Sequence, residues 1–236
     1  MKVRFAKASD AGPRSANEDA IGVWLNANGH LSVAVADGLG GYHGGQQASD
    51  IAIRMFGAQM ENIADADLRD LAMAIHDSIR HEQLADPKLR GMATTLSGAV
   101  ICENEVKFVH CGDTRIVLQR NNGILRLTVD HTEAQRLLEA GVITRGEYLT
   151  YPRKNVLESA LGVSETPKID VGSHDILSGD RLFVTSDGVH TKISLREIRD
   201  ISVSSKDPED AVREIVSLVN GKGPEDNFTV AAVYID

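Results

Sequence analysis

Four aspartates of this 236-residue chain stand where apolar runs stop or start. Asp37 closes SVAVAD, Asp113 closes KFVHCGD, Asp187 closes LFVTSD, and Asp226 opens EDNFTVAAV. Runs rich in Val and Phe, of strand length and bounded by Gly or polar residues, read as strands buried on at least one face. The acids therefore fall at strand ends. An Asp beside a Gly is ordinary turn chemistry, because Asp caps its own backbone and Gly supplies positive φ. Any one of these positions alone reads that way, but four in one chain ask for more. If the strand ends share one rim of a sheet, the carboxylates repel unless they protonate or hold cations. A set of oxygen donors without His or Cys suits Mg²⁺ or Mn²⁺ better than Zn²⁺.

The elements that must position these acids follow from periodicity. Strands are predicted near 20–25 and 31–36, followed by a helix from Gln46 whose stripe is Ile51, Ile53, Met55, Phe56 and Met60. A second helix carries Leu68, Leu71, Met73, Ile75, Ile79 and Leu84, and both stripes read as core. Strands near 94–101, 105–111, 115–119 and 124–129 read as one antiparallel meander. A helix over 133–140 ends at Gly141, where a C-terminal glycine belongs. The stretch 142–152 is more polar. Strands at 168–171 and 180–185, a helix from Asp207 or Pro208 to Val219, and a strand over 228–235 that closes the sheet complete the chain. Strands and helices in separate blocks favour α+β over a doubly wound fold.

Composition narrows the function. With 25 basic against 34 acidic residues, a net charge of −9 and no Lys/Arg-rich run, the chain lacks the basic footprint of a nucleic-acid binder. No segment approaches the roughly 20 apolar residues of a membrane helix, and the opening MKVRFAKASDAG has no continuous apolar stretch. A cytoplasmic protein without membrane attachment is expected. No linker divides the sequence, so 1–236 reads as a single domain. Cys102 and Cys111 lie on either side of a hairpin turn near Glu103 and Asn104 with nothing to set them opposite one another, and they read as free thiols.

Eight strings occur in one order: RSANEDA, VADGLGG, GMATTL, CGDTR, VDHT, YPRKNVLESALG, TSDGV and PEDNFTV. In that order the chain resembles the metal-dependent protein phosphatases of the 2C family, as a small bacterial member, from about Gly12 to Val233. The resemblance implies a four-layer αββα sandwich, two antiparallel sheets flanked by helices, with metals in a cleft at one edge. It makes Asp37 the carboxylate bridging two metals, with the Gly38 carbonyl beside it and Asp187 and Asp226 as further ligands. Asp113 resembles the acid that helps hold a third, weaker ion. Glu18 and Asp19 match outer acids acting through metal-bound water, and Asn227 is expected to orient Asp226. Arg14 falls on a phosphate-gripping arginine, whose fork binds two oxygens at once as Lys cannot. The stretch 142–152 corresponds to a mobile flap beside the active site.

What the resemblance implies is hydrolysis of phosphoserine and phosphothreonine in proteins, opposing a bacterial Ser/Thr kinase, by a monomer using two tightly bound Mn²⁺ or Mg²⁺ ions and a weaker third. Two cations roughly 3.5–4 Å apart lower the pKa of a shared water and neutralise phosphoryl oxygens. The alternatives are a catalytically silent phosphoprotein-binding module and a phosphatase for small phosphoesters. In the family the resemblance points to, eukaryotic members commonly carry a histidine directly after the DG of the first motif and many bacterial members carry one directly after DGxGG, as proton donor. Here those positions are Leu39 and Tyr42, which leaves His43 or a water as the expected acid. His110, His131 and His190, beside the aspartate motifs, read as hydrogen-bonded structural residues.

Overall fold

Alternation of side chains decides the layers in the computed structural model, which describes residues 2–40, 44–59 and 67–236. In β3 (Leu31–Leu39), Leu31, Val33 and Val35 point into one apolar cluster while Ala34 and Ala36 join another. A strand presents successive side chains to opposite faces, so this strand is covered on both. The strand β11 (Phe228–Ile235) behaves likewise, with Ala231, Val233 and Ile235 on one face and Val230, Ala232 and Tyr234 on the other. Two such strands place a shared core between two sheets.

The first sheet runs β2 (Asp19–Leu25), β3, β5 (Leu96–Cys102), β6 (Glu105–Cys111) and β9 (Asp170–Asp175), with the two-residue β4 (Ala93–Thr94) paired to β3. The second runs β1 (Val3–Asp10), β11, β10 (Arg181–Thr185), β7 (Arg115–Arg120) and β8 (Gly123–Arg126). Every pairing is antiparallel. The helices α1 (Gly44–Ala58) and α2 (Leu68–Ala85) pack Ile51, Phe56, Ile75 and Ile79 on the outer face of the first sheet. On the second sheet, α6 (Leu195–Ser204) and α7 (Pro208–Gly221) bury Ile198, Ile201, Val212 and Ile215. The order of layers is therefore helix, sheet, sheet, helix, an α+β sandwich. Short helices α3 (Glu133–Glu139), α4 (Arg145–Thr150) and α5 (Asp187–His190) lie on the connections.

Local chemistry starts and stops these helices where polar caps stand. Asp67, Thr132 and Asp207 accept backbone N–H bonds at the starts of α2, α3 and α7, and Gly141 takes φ +69° just past α3. Reciprocal capping boxes, Thr144 with Glu147 and Ser194 with Glu197, open α4 and α6.

The structure corrects several sequence expectations. The middle strands are not one meander, because the chain leaves the first sheet after Cys111 and enters the second at Arg115. The strand β11 does not close its sheet but sits between β1 and β10, which is why all eight of its residues are buried. Leu84 is 86% exposed rather than core, and Met60 lies outside the described residues. The predicted strand at 168–171 is displaced to Asp170–Asp175. The sequence reading passed over β1, an edge strand without a fully buried residue, and α6. Leu195, Ile198 and Ile201, behind the Ser194–Glu197 box, were a usable signal for the latter. Cys102 and Cys111 are not joined in a disulfide, and Cys111 pairs with Leu96 at the hairpin end away from the turn.

Candidate metal centre

Asp37 continues the Leu31, Val33, Val35 face of β3, so its carboxylate meets the rim of the inter-sheet core. Its direct cross-strand partner is Asp19 on β2. Like charges so opposed are unfavourable. Asp19 is buried. One of its carboxylate oxygens accepts the Ser186 hydroxyl at 2.7 Å, and the other, Oδ1, is buried without a partner. The second sheet brings Asp187, directly after β10 at the start of α5, and Asp226, just before β11. Asp113 sits, buried, in the crossing from β6 to β7.

The electrostatics report a shared cleft. Burial, and then the charges of Asp19, Asp187, Asp113 and Asp226, push the Asp37 carboxyl well above the usual range. Asp113 is pushed up to about 8, by burial first and then by Asp187 and Asp130. Burial raises Asp19 to about 6 against the Ser186 hydrogen bond, and burial with Asp226 raises Asp187 to about 6 against Gly188, Arg115 and Arg14. Among the described residues no three His, Cys, Asp or Glu side chains close into a coordination shell by themselves. Hard divalent ions do not require one, since Mg²⁺ keeps several waters and takes one or two carboxylates. An all-oxygen donor set, mutually repelling buried carboxylates and the orphaned Asp19 Oδ1 fit such an ion.

The surrounding loops are tied together through backbone. The Glu18 carbonyl accepts the Gly38 amide at 3.1 Å and the Ser49 hydroxyl at 2.6 Å, while its amide donates to Asn227 Oδ1 at 2.8 Å. A Cβ on Gly38 would stand 2.2 Å from the Gly45 carbonyl oxygen, so no side chain fits there. The Asn227 amide group donates to the carbonyls of Ala11 and Ala16. Its side chain thus holds the 11–18 loop, while its backbone N–H donates to Asp226 Oδ1 at 2.8 Å, so Asn227 touches the Asp226 carboxylate through the main chain. Arg14 on that loop pairs with Asp226 at 2.8 Å and is 57% exposed at the cleft mouth. His43 and Tyr42 lie outside the described residues.

Residues 9–224 match the family described as Protein phosphatase 2C. The chain belongs to the protein phosphatase 2C family. It is 33% identical over 226 residues to the protein phosphatase PhpP of Streptococcus pneumoniae, covering 93% of this chain and 92% of that one. The solved serine/threonine phosphatase of S. agalactiae superposes with a TM-score of 0.90 at 29% identity, over 100% of both chains. The catalytic domain of the serine/threonine protein phosphatase PstP in complex with two manganese ions superposes with a TM-score of 0.85 at 28% identity, over 99% of each chain. This protein phosphatase 2C is a protein-serine/threonine phosphatase with two antiparallel sheets and flanking helices.

Two cavities of this phosphatase open at the aspartates. One of about 230 Å³ is lined by Asp113, Arg115, Tyr148, Lys154, Asp187 and His190, and one of about 380 Å³ by Arg14, Lys154, Asp187, Lys192 and Asp226. Sequence reasoning assigned no role to Lys154, which faces both. It also passed over Asp130, whose carboxylate takes two bonds from Arg115 at 2.6 and 3.0 Å behind the first cavity. Burial opposes ionisation of Asp130, yet Arg115 and Arg126 hold its carboxyl below the usual range. The VDHT string was the available signal. Among the described residues no helix is long and apolar enough to cross a membrane.

Proposed function

We propose that the protein removes phosphate from phosphoserine and phosphothreonine of other proteins in a metal-dependent hydrolysis with water as nucleophile, opposing a Ser/Thr kinase. The observation that carries this reading is the convergence, from two sheets, of Asp37, Asp113 and Asp187 with raised carboxyl pKa values around a cleft that Arg14 overlooks. Asp37, the Gly38 carbonyl, Asp187 and Asp226 would hold two Mn²⁺ or Mg²⁺ ions, and Asp113 with Asp187 a weaker third. The relative solved with two manganese ions supports that number. Bound divalent ions supply a nucleophilic hydroxide near neutral pH and neutralise phosphoryl oxygens.

The chain's own residues do the rest. The guanidinium of Arg14 grips two phosphate oxygens and turns the ester for in-line attack. Glu18 and Asp19 act from the flank through water, and Asn227 keeps the Arg14 loop in register with β11. A serine alkoxide needs a proton as it leaves, whereas a nitrophenolate does not, so His43 serves as the acid only if its loss shows on the peptide. His43→Ala and Tyr42→Phe are compared on a phosphopeptide and on p-nitrophenyl phosphate, and equal rates in both variants leave water as the acid. The protein acts as one cytoplasmic catalytic unit and as a monomer.

The deciding experiment assays purified protein on a phosphothreonine peptide, on p-nitrophenyl phosphate and on sugar phosphates, in chelator and with Mn²⁺ or Mg²⁺ added. Turnover of the peptide that requires added metal is expected. Full activity in chelator, or turnover confined to small phosphoesters, overturns the proposal.

A further inference from the structure

Asp113 hangs between two buried histidines, His131 bonded directly to Gly112 and His110 linked to Thr114 through Ser97. On one side, the Gly112 peptide is gripped twice by His131: its carbonyl accepts the His131 amide at 2.7 Å, and its N–H donates to the ring Nδ1 at 3.2 Å. A backbone amide can only donate, so Nδ1 is the acceptor and the ring proton sits on Nε2. That nitrogen donates to Asp170 Oδ2 at 3.0 Å, a carboxylate that is 42% exposed at the start of the edge strand β9. On the other side, the Thr114 hydroxyl meets Ser97 Oγ at 2.8 Å, and Ser97 Oγ meets His110 Nδ1 at 2.9 Å. His110 Nε2 faces the Val129 carbonyl at 3.0 Å. A carbonyl only accepts, so His110 donates there and takes the Ser97 proton at Nδ1, leaving Ser97 to accept from Thr114. Every direction in the chain is thereby determined. The two rings lie 4.7 Å apart, each limiting the other's rotation.

The same loop has no freedom toward Asp37. Gly112 has φ +107°, and a Cβ there would stand 2.5 Å from Thr95 Cγ2. Thr95 in turn donates its amide to the Asp37 carbonyl at 2.9 Å and accepts the Asp37 amide on its hydroxyl at 2.9 Å. Asp113 is thus set at a defined place relative to Asp37 by groups that do not reach the cleft.

We infer that His131, oriented by Asp170, and His110, oriented by Ser97 and Val129, are positioning residues that hold the Asp113 carboxylate ready for a divalent cation. The inference rests on the reading of Asp113 as a ligand of the weaker ion. Partners that orient a ligand typically command 10- to 100-fold in metal affinity.

The test titrates Mn²⁺ calorimetrically into the full chain and follows exchange of the Gly112 amide by NMR in the metal-free protein. His131→Gln removes the acceptor at the Nδ1 position, whereas His131→Asn restores an oxygen near it. The Gln variant should lose about 10- to 100-fold in affinity at the weakest Mn²⁺ site, as Asp113→Asn does, while the Asn variant stays within about threefold of wild type. Gly112 exchange should rise in the Gln variant and not in the Asn variant. Equal losses in both variants would mean that the ring is packing alone and overturn the inference. Wild-type Mn²⁺ binding by His131→Gln beside a weakened Asp113→Asn also overturns it, with Asp113 still a ligand. Wild-type binding by Asp113→Asn itself removes Asp113 from the ligand set and the inference with it. If His131→Gln does not fold, Asp170→Ala, which leaves the buried ring in place, decides: weakened Mn²⁺ binding supports the inference and unchanged binding overturns it.

Discussion

Asp113 carries a pH signature that can be read without any substrate. Burial, Asp187 and Asp130 raise its carboxyl to about 8, whereas an unfolded aspartate titrates near about 4. Between those values the folded, metal-free protein holds a proton that the unfolded chain has released, so this residue makes stability fall as pH rises through the window. Asparagine keeps the shape and removes the titration. The melting temperature of metal-free Asp113→Asn should therefore exceed that of wild type by a margin that grows from about pH 5 to about pH 8. The buried neutral histidines, His110 at about 3 and His190 well below its ordinary value, titrate alike in both proteins and cancel. A margin independent of pH would show that Asp113 is ionised in the metal-free fold. Arg14 makes a different prediction, because it is exposed and contributes little packing. Arg14→Ala should keep its melting temperature and lose about 10- to 100-fold in kcat/KM, the size of a lost hydrogen bond to a charged group. Lysine should recover only part of that loss, since it presents a point charge in place of a fork, and full recovery would reduce the role of Arg14 to charge.

Two helices begin with the same capping box and differ in what they bury, which separates local from global stability. The Ser194 box opens α6, whose Ile198 and Ile201 belong to the outer core, whereas the Thr144 box opens α4, which buries no residue. Each cap contributes about 1 kcal/mol to its helix. Ser194→Ala should lower the global melting temperature by roughly 2–4 °C. Thr144→Ala should leave it unchanged, because α4 can open without exposing core, and should instead raise amide exchange across 145–150 and alter KM through Tyr148 and Lys154, which face the cleft. A global loss in Thr144→Ala would mean that α4 is coupled to the sandwich. The element scale also shows where hydrophobic pattern speaks: α1, α2 and α7 lie where their apolar stripes predict, while β1, with its exposed alternate residues, carries no such stripe.

At the scale of the molecule, the candidate ligands come from both sheets, Asp37 from the first and Asp187 and Asp226 from the second. A cation held between them would tie the sheets together and relieve the opposition of Asp19 and Asp37. Mn²⁺ at about 100 times its dissociation constant adds about 2.7 kcal/mol by mass action, a rise of roughly 5–10 °C in melting temperature for a chain of this size. Asp37→Asn should lose most of that rise, begin from a higher metal-free melting temperature, and lose turnover by at least about 100-fold. A wild-type thermal shift in this variant would strike Asp37 from the ligands. The positions of the four aspartates at strand ends were legible in the sequence, because alternation of apolar residues and Gly punctuation are local properties of a few neighbouring residues. Periodicity states which face is buried but not what covers it. Only the tertiary arrangement of strands decided that β6 and β7 belong to different sheets, that Asp19 faces Asp37 across the β2–β3 register of the first sheet, and that Asn227 reaches back to Ala11 and Ala16. The histidines around Asp113 became its supports for the same reason, since their hydrogen bonds join residues 13 to 39 positions apart that only the folded chain brings within 3.2 Å.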